Sequence, residues 1–74
     1  MINFYLIGQK LTKYRKELGL TQDEVAEKLF VTRQLVSKWE KGNGVPSIDC
    51  LLELSKLYQK SFEDILCLND VEWW

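Results

Sequence analysis

Residues 21–42, TQDEVAEKLFVTRQLVSKWEKG, constrain the fold of this chain more than any other stretch. Thr21-Gln22-Asp23-Glu24 has the pattern of a capping box. In that arrangement the cap hydroxyl accepts from the third helical amide, and the acid accepts from the amide of the cap. Val25, Ala26 and Leu29 follow at helical spacing and predict a buried face, with Ala26 small where two helices must approach closely. Thr32 starts a second short helix that ends near Lys41, with Gly42 as its stop. Two helices this short are unstable in isolation, so they must pack on others.

The rest of the chain supplies those partners. Ile7, Leu11, Tyr14 and Leu18 recur at steps of four, three and four. This predicts a first helix from about Asn3–Phe4 to Leu18, ended by Gly19 in a left-handed conformation. Asn43-Gly44 makes a loop, and Pro46-Ser47 opens a fourth helix expected to bury Ile48, Leu51, Leu54, Ser55 and Tyr58. Gln59-Lys60 is a short turn. Ser61 caps a fifth helix with Asp64 at its third position and Phe62, Ile65 and Leu66 facing inward. No segment alternates with a period of two, so the expectation is an all-α fold of five helices without a sheet. A chain of 74 residues makes one domain, expected over 1–68, with 69–74 as a tail. A domain this small buries only about 60% of its unfolded surface, so its core must be efficient.

The helix over 32–41 carries the functional signal. At about 100° per residue, with Arg33 set at 0°, Ser37 falls at about 40°, Lys41 at about 80°, Gln34 at about 100° and Lys38 at about 140°. Val36 and Trp39 fall on the other side, at about 300° and 240°, which predicts Trp39 as mainly a core residue. The helix thus presents hydrogen-bonding, mostly cationic groups on one side and an apolar stripe on the other. The pair of helices reads as a helix-turn-helix whose second member inserts a polar face into a DNA major groove. Arg pairs bidentately with guanine, Gln with adenine, and Lys reaches guanine or phosphate. Thr32, Arg33, Gln34, Ser37, Lys38 and Lys41 are the expected contacts from this helix. Thr21 and Gln22 are expected contacts from the helix before it, whose N-terminal amides suit a phosphate. A simple solvated helix face is the competing interpretation. Lys10 and Lys13 of the first helix are expected mainly to be solvated.

A net charge of −1 hides a polarised chain. Residues 1–41 hold eight bases and five acids; residues 42–74 hold two bases and six acids. One end can meet phosphate while the other meets protein. Two cysteines, Cys50 and Cys67, without histidine or zinc-ligand spacing, predict free thiols, no metal and no cofactor. The N-terminus is apolar for only seven residues, so no signal peptide or membrane span is expected, and the expected location is cytoplasmic. There is no histidine, no nucleophile with a base and no glycine-rich phosphate loop, so an enzyme is not expected. The paired acids Asp23/Glu24 and Glu63/Asp64 suit helix N-terminal dipoles instead.

Residues 7–66 resemble the Cro/repressor-type helix-turn-helix family, also called xenobiotic-response-element-type regulators. The matching segments are IGQKLTKYRKELGLTQDEVAEKL, VTRQLVSKWEKG, PSIDCLLELSKLY and SFEDIL. The resemblance implies a compact, lambda-repressor-like five-helix domain that binds operator DNA, usually as a dimer. It implies that Gln22, Arg33, Gln34, Ser37 and Lys38 contact DNA, and that Arg15 pairs with Glu40. Phe30 stands where the family often has Gly, and Tyr58 and Lys60 replace the usual aliphatics. The expected function is a sequence-specific transcriptional regulator, a repressor, bound as a homodimer to a palindromic operator. The acidic C-terminal half and the tail, with Trp73 and Trp74, are expected at the dimer interface. The alternative is an antitoxin-like regulator that binds both DNA and a protein partner. A helical interaction module without DNA binding is disfavoured by the Arg/Gln/Lys stripe.

Overall fold

The computed structural model describes residues 2–68. Five helices follow in order: α1 (Phe4–Glu17), α2 (Gln22–Leu29), α3 (Arg33–Glu40), α4 (Ile48–Tyr58) and α5 (Phe62–Ile65). No strand occurs among the described residues. The expected five-helix, all-α architecture is the observed one. Residues 69–74, expected to form a tail at a dimer interface, lie outside the described residues.

Each helix starts on a short polar side chain. Asn3, Thr21, Thr32, Ser47 and Ser61 accept from the backbone N–H three residues on. The box at Thr21 is complete: its hydroxyl accepts from the Glu24 N–H at 3.1 Å, and its own N–H donates to Glu24 Oε1 at 2.9 Å. That backbone hydrogen bond holds the Glu24 carboxyl below its usual pKa.

The helix ends share one device. After α1 the Gly19 N–H donates to Lys16 O and the Leu20 N–H to Arg15 O, a Schellman pattern with Gly19 at φ +70°. The same pair of bonds closes α3 around Gly42 at φ +80°. It also closes α2, but with Phe30 in the left-handed position at φ 58°. A non-glycine residue there costs about 1–2 kcal/mol. Phe30 recovers none of it by packing, since its side chain is 95% exposed. Gln59 takes the left-handed position after α4.

One core joins all five helices. It contains Ile7, Leu11 and Tyr14 of α1, Val25, Ala26 and Leu29 of α2, Val36 and Trp39 of α3, Leu51, Leu54 and Tyr58 of α4, Ile65 of α5, and Cys67. Four positions differ from expectation, the first being Leu18, which ends the apolar steps of α1 yet is 51% exposed. Ile48, expected inside, is the first residue of α4 and is 74% exposed. Phe62, the first residue of α5, is likewise partly exposed. Ser55 is half-buried because its hydroxyl donates to the Lys60 carbonyl at 2.6 Å, sealing the end of α4. The Tyr58 ring packs tilted against Tyr14, centroids 6.1 Å apart, and the Lys60 ammonium lies 5.0 Å from the Tyr14 ring centre. The two departures from the family pattern therefore make a common contact with α1. Burial first, and then the Glu40 charge, push the Tyr58 hydroxyl well above its ordinary pKa, so it stays protonated.

Candidate nucleic-acid interface

The polar stripe on α3 is usable only if that helix is held rigidly. Its apolar side is anchored by Val36 and Trp39, the latter 3% exposed. α3 packs chiefly on α1 and α2. α1 approaches it closely: a methyl group added at Gly8 would lie 2.5 Å from Glu40 O and 2.7 Å from Trp39 O. Only glycine permits this crossing of backbones.

Beside that crossing lies a charged bolt. Arg15 Nε donates to Glu40 Oε2 at 2.7 Å and Arg15 Nη2 donates to Glu40 Oε1 at 3.0 Å. The pair is bidentate and sheltered, with side-chain exposures of 13% and 6%. Bidentate geometry suits such a seam because the planar fork matches the carboxylate. Arg15 Nη1 also donates to the Leu20 carbonyl at 2.9 Å, and Gln22 Nε2 donates to Glu40 Oε1 at 3.1 Å. The Glu40 carboxylate thus ties α1 and the start of α2 to the end of α3, and Arg15 extends the tie to the α1–α2 connection. Its hydrogen bond raises the pKa of an arginine that is already cationic.

With α3 held in this way, Arg33, Gln34, Ser37, Lys38 and Lys41 line a common open cleft of about 300 Å³. Arg33, Gln34, Lys38 and Lys41 are exposed and Ser37 is half-buried. Donors of this kind on one rigid helix can meet base edges and phosphate oxygens together. The other three expected contacts do not line the cleft. Thr21 and Thr32 are exposed, with their hydroxyls accepting from helix amides. Gln22 is half-buried with its amide nitrogen on Glu40.

Two residues join the site that sequence reasoning did not select. Asn43 completes the cleft wall. Its position just after the glycine that ends a basic helix was the available signal. Asp23 places Oδ1 3.6 Å from Arg33 Nε. Contacts between adjacent helix starts carry no periodic signature, so nothing in the sequence pattern marks this one.

Comparison with known proteins agrees with this geometry. A helix-turn-helix family model matches residues 11–65. The HTH-type transcriptional activator BcrR of Enterococcus faecalis is 38% identical over 59 residues, covering 80% of this chain and 29% of BcrR. An HTH-type transcriptional regulator of Methanothermobacter thermautotrophicus is 41% identical over 61 residues, covering 81% of this chain and 88% of that protein. Among solved structures, the P22 c2 repressor in complex with a synthetic operator superposes with a TM-score of 0.77 at 30% identity, covering 81% of this chain and 91% of that one. The N-terminal DNA-binding domain of SinR from Bacillus subtilis gives 0.75 at 35% identity, covering 84% and 91%. The chain belongs to the Cro/repressor-type helix-turn-helix family of DNA-binding transcriptional regulators.

Proposed function

We propose that this protein is a repressor that binds a palindromic operator as a homodimer and reads the major groove with α3. The observation that carries this is the division of α3. Val36 and Trp39 are buried, while Arg33, Gln34, Ser37, Lys38 and Lys41 share a cleft on the other side. Arg33 and Gln34 open the helix and are assigned to base edges. Lys38 and Lys41 are assigned to guanine or phosphate, with Ser37 between them. Thr21, Gln22 and Thr32 are assigned to the flanking backbone, where the N-terminal ends of α2 and α3 favour phosphate. The structure of the P22 c2 repressor in complex with a synthetic operator supports the assignment to DNA.

Repression requires only that the operator be occupied, which the α3 cleft is proposed to do. One α3 covers about half a site, so tight binding favours two copies about 34–36 Å apart on one DNA face. Ile48, Leu52 and Phe62 are exposed apolar residues on α4 and α5, and they support an interface in the acidic half. The proposed activity is binding rather than catalysis. It acts in the compartment that holds the DNA, the cytoplasm. No helix among the described residues is long and apolar enough to cross a membrane.

Selection of bound sequences from a random duplex pool, followed by a salt series, tests this function. The expected result is a two-fold symmetric consensus whose affinity falls steeply with salt. A pool with no enriched sequence would overturn it.

A further inference from the structure

We propose that Asp23 is a positioning residue that aims the Arg33 fork at a guanine and holds it off the phosphate backbone. The inference rests on the assignment of α3 to base reading. Asp23 lies in the first turn of α2, and Arg33 is the first residue of α3. The packing of α2 on α3 brings these two helix starts together, while the neighbouring Gln22 ties the start of α2 to Glu40 at the far end of α3.

The atoms involved give the contact its meaning. The closest approach of Asp23 Oδ1 to the Arg33 guanidinium is at Nε, 3.6 Å away. A guanidinium has five donors in a fixed plane. A carboxylate on the Nε side leaves the Nη1–Nη2 end free, and that end forms the bidentate pair with guanine O6 and N7. Among the described residues, the other cations of the cleft, Lys38 and Lys41, have no acid within 4.0 Å. Asp23 therefore acts on one cation of the cleft.

The pair is solvent-exposed, with side-chain exposures of 50% for Arg33 and 77% for Asp23, so it contributes little to folding. Its effect is on choice. A carboxylate at the rim repels phosphate, which weakens sequence-independent binding. It also restricts Arg33 to orientations in which base pairing is the better use of the fork.

The test compares wild type, Asp23→Asn and Arg33→Ala on three kinds of duplex at fixed salt. These are the selected operator, operators with single base-pair changes, and a random-sequence duplex. Arg33→Ala identifies the base pair that Arg33 reads. Asp23→Asn is expected to lower discrimination at that pair about three- to fivefold, the scale of a surface ion pair. It should leave discrimination at the pair read by Gln34 unchanged and raise affinity for the random duplex. An unchanged preference in Asp23→Asn, or an equal loss at both base pairs, overturns the proposal. If Arg33→Ala changes no base preference, the assignment of α3 fails and the proposal fails with it. A loss in Arg33→Ala with none in Asp23→Asn overturns the proposal alone.

Discussion

Gly8 lies where α1 crosses the end of α3, and nothing larger fits without moving backbone. Alanine favours a helix over glycine by about 1 kcal/mol, so helix propensity alone predicts that Gly8→Ala stabilises. The crossing predicts the reverse, because overpacking costs about 1–3 kcal/mol and here the neighbours are carbonyls. Urea unfolding decides: a lower midpoint is expected, and a higher one would show that the helices can separate freely. Phe30 is the opposite case. Its left-handed backbone is strained and its side chain packs on nothing. Phe30→Gly is expected to stabilise by up to about 1 kcal/mol, read as a raised thermal midpoint. A lowered midpoint would mean that the ring makes contacts in solution. The Phe30 strain was legible in the sequence, since a bulky residue stands where a glycine belongs. The Gly8 crossing was not, because its cause is a carbonyl thirty-two residues away in the chain.

At the scale of elements, the helices were legible because their signals are local. Caps, stops and apolar steps all lie within one or two turns of the residue they govern. The wheel on α3 separated Val36 and Trp39 from the polar side correctly, since a helix face is a matter of phase. Phase does not say where a neighbouring helix ends, which is why Ile48 and Phe62, both first residues of their helices, are more exposed than their stripes imply. Asn43 escaped for a related reason: loop paths have no period. α2 carries a pH prediction. The Glu24 pKa is depressed in the folded state by its hydrogen bond to the Thr21 backbone. Its contribution is therefore fully present above the ordinary carboxyl pKa and is lost as pH falls through the depressed one. Glu24→Gln should flatten the stability profile on that acid side and leave the neutral-to-basic side parallel to wild type. An unchanged acid limb would show that the box does not form in solution.

The whole molecule is polarised, basic over 1–41 and acidic over 42–74, and this division sets what each end can meet. The acidic half is expected to join two copies. Sedimentation of the free protein should show a dimer at high concentration, and titration should show two copies per operator. A free protein that stays monomeric and binds one copy per operator would contradict the dimer. Replacing Trp73 and Trp74 by Ala tests the tail separately, since an unchanged dimer removes the tail from the interface. The central claim, however, concerns α3. It is tested most directly by measuring the affinity of Arg33→Ala and Gln34→Ala for the selected operator and its single base-pair variants at one salt concentration. Each substitution is expected to cost about 1–3 kcal/mol and to relax preference at one base pair of each half-site. If both variants keep wild-type affinity and wild-type preference, α3 is not the element that reads the DNA.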